Sequence, residues 1–304
     1  MQRITGLLLL EVRNSNPNGD PDRESDPRQR ADGRGEISPV SYKRKLRDLV
    51  EDKAGAAWTE LSSRFTPPLA VDEFRLLEVR GRDRDEIEKL VISDGHEGFK
   101  KAFWDARLFG STYLEKEADI KARRPNASKD EVAAVVEAFK NNIRTGICQF
   151  GLGLSISAVE ITRHTLTNKA GVESDKTQGM APLAFRAVQH GLYAMPFFIN
   201  PSTAHRSGCT QRDIDLMLHL LPFAYSNNLA MNRAGVSPVH IHVVTHANAL
   251  GSVNDFKVID ALTPKRKGAD ALAPSTSIDD YTFPNVEEAL KPFAGKVTHR
   301  DLAL

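Results

Sequence analysis

The sequence predicts an α+β fold in which strands and helices alternate as β-α-β-β-α-β, with long insertions. Three observations point there: an apolar start, Leu7 to Leu10 with Val12, that feeds a capped helix; a change from helical spacing to strict alternation at Gln149; and a second capped helix after Thr210 that precedes the alternating run Val239, Ile241, Val243. At 304 residues, 40% apolar and 27% charged, the chain can bury one large core or two modest ones.

Residues 4 to 13 read as the first strand, and the turn-dense Asn16-Pro17-Asn18-Gly19-Asp20-Pro21-Asp22 ends it. A helix is expected over 38–53. Ser38 can cap it, Pro39 occupies the first helical position where its missing N–H costs nothing, and Tyr42, Leu46, Leu49 and Val50 recur at helical spacing. On that wheel Lys43, Arg44 and Arg47 fall away from the apolar stripe. Residues 56 to 98 are charge-rich, with one expected strand at Phe74 to Val79. Phe99 to Phe109 reads as a helix closed by Gly110. Ser128 with Glu131 forms a capping box before Val132, Val135, Val136, Phe139 and Ile143, and Tyr113 to Pro125 is expected to leave the core.

From Gln149 the period becomes two: Phe150, Leu152, Leu154 and Ile156 alternate with small residues, and the apolar face then switches to Val159 and Ile161. This arm is too long for an average strand and should project, with Asn168 to Gly179 as its tip. Gly191 to Ile199 suits a buried strand, although Pro196 predicts a bulge or the end of pairing. Thr210 and Asp213 box a helix carrying Ile214, Met217, Leu218, Leu221 and Tyr225. The tail from Asp255 is weakly periodic and should wrap the surface or meet a neighbour. The order is compatible with a ferredoxin-like, or RRM-like, core.

Lys plus Arg number 41 against 40 Asp plus Glu, so a nucleic-acid role must rest on local patches. Cys148 and Cys209 lie far apart with no CxxC, which fits a reducing cytoplasm and excludes a cysteine-rich zinc site. The first apolar run reaches Glu11 before it could serve as a signal, and no later run approaches ~18 apolar residues, so neither secretion nor a membrane span is expected. P-loop, HExxH, GxSxG and dinucleotide signatures are absent, which disfavours nucleotide hydrolysis and hydride transfer. Asp20, Asp22 and Asp26 could offer oxygen ligands to a cation, but acidic turn residues are ordinarily solvated. His240 and His242 share a strand face while His246 lies four residues on with no thiol or carboxylate nearby in sequence. A polar sheet face that could contact RNA is the expectation there. No metal and no cofactor is predicted.

Three loops favour nucleic acid. Lys43, Arg44, Lys45 and Arg47 open a helix whose first N–H groups can hold an anion, with no acid between Pro39 and Arg47. Arg163, His164, Lys169, Lys176, Thr177 and Gln178 line the projecting arm, where Met180 could wedge between bases. Asn227, Asn228, Asn232, Arg233 and Gly235 follow the late helix. Around one sheet these loops would make a channel for a single strand held by its backbone.

The motif Asn16 to Asp22 followed by the Lys43 to Arg47 helix resembles the backbone subunit of type I CRISPR Cascade complexes, in the I-B and I-C style, within the wider RAMP superfamily. Asp105-Ala106-Arg107-Leu108-Phe109-Gly110, Gln149-Phe150-Gly151-Leu152-Gly153 and His190-Gly191-Leu192-Tyr193 agree, as does the helix opening Pro39-Val40-Ser41. The resemblance spans roughly residues 4 to 250 in order. It implies an RRM-like palm (1–55 and 190–254), an inserted helical finger region (56–148), a strand arm with a projecting β-hairpin thumb (149–189) and a C-terminal extension (255–304), the thumb fitting Val159 to Phe185 best.

Such a subunit is non-catalytic. It would polymerise head to tail along CRISPR RNA, present spacer bases to target DNA, and meet large and small subunits, a guide-processing subunit and a recruited nuclease-helicase. The implied RNA-binding residues are Asn16, Asn18, Lys43, Arg44, Lys45, Arg47, Arg107, Phe109, Gln149, Arg163, Lys176, Thr177, Gln178, Met180, Asn228 and Arg233. Two departures stand out: the loop Arg23 to Glu36 is unusually rich in Arg and acids, and Asn227 to Val236 holds a single Arg. The alternatives are a metal-dependent RAMP endoribonuclease using Asp26 or Asp32, and a stand-alone RRM-like RNA binder.

Overall fold

The computed structural model describes residues 1–111, 116–140, 144–168, 181–228 and 230–303. One eight-stranded antiparallel sheet contains β1 Ile4–Ser15, β2 Arg34–Ile37, β3 Cys148–Phe150, β4 Gly153–Ala158, β5 Ile161–Asn168, β6 Ala181–Ile199, β7 Val236–His246 and β8 Val297–Asp301. The order across it is β8-β7-β1-β6-β4-β2, and β3 and β5 also pair with β6. The chain is thus a mixed α+β fold, as its sequence predicts.

The helices are α1 Pro39–Glu51, α2 Ala56–Ser63, α3 Arg84–Ala102, α4 Trp104–Phe109, α5 Glu117–Arg123, α6 Lys129–Lys140, α7 Ala204–Ser207, α8 Gln211–Leu220, α9 Asp255–Leu262 and α10 Val286–Leu290. Strand β1 is apolar on both faces because both are covered. Leu8 and Leu10 meet Tyr42 and Leu46 of α1, Trp104 of α4 and Met217 of α8 in the main core. Leu7 and Leu9 meet Val258 and Leu262 of α9, Tyr281 and Leu290 on the other side. A separate core joins α3, α5 and α6 through Val91, Ile120, Val132 and Phe139.

Both capping boxes form: Ser128 N–H donates to Glu131 Oε2 at 2.7 Å and Glu131 N–H to Ser128 Oγ at 3.2 Å, and Thr210 pairs with Asp213 in the same way. Among the described residues no helix is long and apolar enough to cross a membrane.

Two local expectations change. Phe74 to Val79 is not a strand, because the N–H groups of Leu77 and Glu78 donate to the Asp105 carboxylate (2.8 and 3.1 Å) instead of to a neighbouring ladder. The helix expected at Phe99 breaks at Phe103, whose backbone is extended where Arg75 bridges to it, and α3 begins much earlier under an Asp83 cap. At Pro196 the second of the two expected outcomes holds: there is no bulge, and pairing on that side of β6 stops at Phe197 and resumes at Ala194. The Pro196 carbonyl accepts Gly151 N–H at 2.8 Å, so its amide faces the gap between β3 and β4, where no ladder donor is required.

The tail does more than wrap the surface: it builds the second layer on the sheet and adds edge strand β8. A hydrogen-bonded chain fastens that layer. Glu11 Oε1 meets His190 Nε2 at 3.2 Å, His190 Nδ1 meets Ser275 Oγ at 2.7 Å, and Tyr281 O–H donates to Ser275 Oγ at 2.8 Å. The sheet face proposed for RNA is therefore occupied. His246 is buried against Thr5 Oγ1 at 2.9 Å, His242 Nδ1 faces His299 Nε2 at 3.0 Å, and His240 Nδ1 faces Asp301 Oδ2 at 2.6 Å.

Candidate nucleic-acid interface

The loop after β1 is shaped by its two asparagines. Asn16 is buried; its Nδ2 donates to Ser25 O at 2.7 Å, its Oδ1 accepts Asn18 N–H at 3.1 Å, and its own N–H donates to Asn232 O at 2.6 Å. Asn18 Oδ1 accepts Ser38 N–H at 2.7 Å. Both side chains are thus engaged in the fold, and they bring the 231–233 turn and the start of α1 to one end of the sheet. Gly235 is required there, since a Cβ would lie 2.0 Å from Arg13 O.

The basic cluster of α1 splits into different environments. Arg44, half-exposed, is neutralised by Asp48 (2.7 Å) and Glu51 on its own helix. Arg47 does not project as the helical wheel predicts. It is buried and donates to the fully buried Asp105 at 2.8 Å, because α4 packs where the wheel placed solvent. Lys43 lies 5.0 Å above the Phe109 ring, and burial lowers its pKa. It lines an open groove of about 690 Å³ with Val40, Arg47, Val79, Arg80 and Phe109.

Lys45 is nearly inaccessible, donates to Ser41 Oγ at 3.1 Å and sits 4.9 Å over the Tyr225 ring. Burial first, and then the nearby Arg233 charge, lower its pKa to about 8. The Arg233 Nε is buried without an acceptor, and among the described residues neither cation has a carboxylate within ion-pair distance. Asp48 acts on Lys45 only from beyond ion-pair distance, so two neighbouring cations in contact with no carboxylate make a site that attracts an anion.

The other expected residues are placed as follows. Arg107 is buried and grips Asp213 (2.7 Å) and the carbonyls of Lys100 and Glu73 (both 2.7 Å), so its guanidinium serves as an internal brace. Phe109 is buried against Trp104 and Phe150. Gln149 is exposed and donates to Gly146 O at 3.2 Å. Asn228 donates to Lys45 O at 3.1 Å and Ala224 O at 2.9 Å, which ties it to α1. Arg163 is exposed on β5, opposite Arg186 on β6, and neighbouring His164 stacks on Phe185 with centroids 5.2 Å apart. Lys169, Lys176, Thr177, Gln178 and Met180 lie outside the described residues.

Asp26 pairs with Arg186 and Asp32 with Arg34 (2.7 Å). Arg186 carries no signal of its own in the sequence, and Asp105 enters only within the Asp105–Gly110 motif, which says nothing of its pairing with Arg47.

A family model described as CRISPR-associated protein Cas7 matches residues 2–285. The chain belongs to the Cas7 family. Among curated relatives, the CRISPR-associated protein Cas7 of Haloferax volcanii is 27% identical over 224 residues, which is 71% of this chain and 62% of the relative. The Cas7-family chain thus aligns with less than two thirds of that relative's length. Among solved structures it is similar to a chain of a CRISPR RNA-guided surveillance complex, at a TM-score of 0.48 and 14% identity, covering 98% of this chain and 87% of that one. A chain of a CRISPR RNA-guided surveillance complex in a pre-nicking state gives a TM-score of 0.44 at 14% identity, covering 89% and 84%.

Proposed function

We propose that this Cas7-family chain is a non-catalytic subunit that holds the backbone of CRISPR RNA, polymerises along it head to tail, and presents spacer bases for pairing with target DNA. One observation carries the reading: Lys45 and Arg233, close enough for the Arg233 charge to lower the Lys45 pKa and, among the described residues, in ion-pair contact with no carboxylate, near the Asn16–Asp22 loop and the 231–233 turn. Phosphate is the anion such a pair suits.

The reading includes an RRM-like palm over 1–55 and 190–254. Strands β1, β4, β6 and β7 support it, lying in the order β7-β1-β6-β4 with α1 and α8 on one face. The helical region 56–148 would be the finger and the β5–β6 pair the base of a thumb. Partners on this reading are further copies of the chain, the large, small and guide-processing subunits of the complex, and a nuclease-helicase recruited to it, all in the cytoplasm.

The test is purification followed by RNA extraction and titration. Co-purifying RNA of uniform length, and affinity that rises stepwise with RNA length, are expected. A monomer whose affinity ignores RNA length would leave only a stand-alone RNA binder.

A further inference from the structure

Arg163 and Arg186 face each other across β5 and β6, and like charges directly opposite in an antiparallel pair repel. The fold relieves only one of them. Arg186 pairs with Asp26, 160 residues away in the chain, while Arg163 has no carboxylate partner among the described residues. Asp26 is delivered by a tightly bonded turn: Asp20 N–H donates to Asp26 O at 2.7 Å, Asp26 N–H to Arg23 O at 2.8 Å, and Asn16 holds Ser25 O. Glu24 and Ser25 sit at φ of 50° and 65°, the left-handed region that non-glycine residues rarely adopt. The two guanidiniums, Asp26, Glu24 and Asn16 surround an open cavity of about 260 Å³ with Phe185 as its apolar wall.

We infer that this cavity is a phosphodiester site held shut by its own carboxylate. Asp26 occupies on Arg186 the position that a phosphate of bound RNA takes, and the exchange of one anion for the other frees the turn at Asp20–Asp26. Arginine's planar fork pairs with carboxylate and phosphate in the same bidentate manner, so the two compete for it. A phosphate between Arg163 and Arg186 also neutralises the cross-strand pair, which Asp26 alone leaves with one unmatched charge. Glu24 adds repulsion against an entering phosphate and so favours the shut form. The inference rests on the RNA-binding reading and adds a regulated contact to it.

The experiment compares the wild-type chain with Asp26→Asn, which keeps the size of the side chain and removes the competing charge. A single-stranded RNA is titrated at two salt concentrations. Asp26→Asn is expected to bind about two- to fivefold more tightly at low salt, the worth of one half-exposed ion pair, with the gain shrinking as salt rises. Arg186→Met in the same background should abolish that gain. Hydrogen exchange of residues 20–28 in the wild type should quicken when RNA is added. Wild-type binding that is unchanged or weakened by Asp26→Asn, with no change in exchange, overturns the shut-site inference and leaves the RNA reading standing. Absence of RNA binding by both proteins overturns both.

Discussion

Asn18 Oδ1 accepts the backbone N–H of Ser38 at 2.7 Å, and Ser38 Oγ in turn accepts Ser41 N–H at 3.2 Å. The loop after β1 and the cap of α1 are therefore one hydrogen-bonded unit, although the two residues stand 20 positions apart. Asn18→Ala removes the acceptor and leaves a partly buried N–H unsatisfied, a cost of about 1–3 kcal/mol. The urea midpoint of the variant should fall accordingly; an unmoved midpoint would show that water replaces the link.

Two arginines three residues apart on α1 should behave differently. Arg47→Ala strands the fully buried Asp105 carboxylate, and breaking one side of a buried pair costs about 3–5 kcal/mol. Arg44→Ala removes a half-exposed pair, worth about 0–1 kcal/mol. Chemical denaturation of the two variants side by side checks this, and equal losses would contradict the burial argument.

RNA affinity should depend on alkaline pH through Lys45. Its pKa in the free fold, about 8, lies below its ordinary 10.5 because burial and Arg233 disfavour the charge. A bound phosphate favours the charge, so affinity should fall as pH rises through about 8. By the same sign the free protein gains stability between pH 8 and 10.5, where the unfolded chain still carries the proton. Lys45→Met should flatten both profiles and lower the salt slope of binding by about one unit. Anisotropy titrations at pH 7 and 9 decide; a wild-type affinity that ignores pH would detach Lys45 from the site.

Acid should loosen the edge of the sheet. Burial lowers His242 to about 4 from 6.5, and His299, facing it from β8, is lowered as well. The fold favours their neutral forms while the unfolded chain accepts protons, so stability is full above pH 6.5 and lost as pH falls towards 4. His242→Gln should reduce that loss, measured as urea midpoints at pH 7 and 5. A wild-type midpoint constant across the interval would refute it.

Much of the architecture was legible because capping boxes and periodicity act locally: Ser38, Ser128 and Thr210 each start a helix where the spacing says. What escaped is long-range. Asp105 captures the N–H groups of Leu77 and Glu78 and so turns an apparent strand into irregular chain. At the candidate site the basic helix was visible, and Asp48 and Glu51 stand within two turns of Arg44 on it, but the partners of Arg47 and Arg107 were not visible, since Asp105 and Asp213 lie far along the chain. Arg107 in particular carries every outward sign of a free cation until Asp213 is found against it.

The layer built by α9, α10 and β8 has a geometric consequence. A sheet with one bare face offers a flat platform on which bases can lie; here Leu7, Leu9 and Val244 are roofed by Val258, Leu262 and Leu290. An open cavity lined by Asn16, Asp26, Arg163, Arg186 and Asn232 lies instead at the end of the sheet where β1 leaves and β7 enters. An end-on surface can be set beside its own copy by simple translation, whereas a platform used by one molecule must be rebuilt in register by the next.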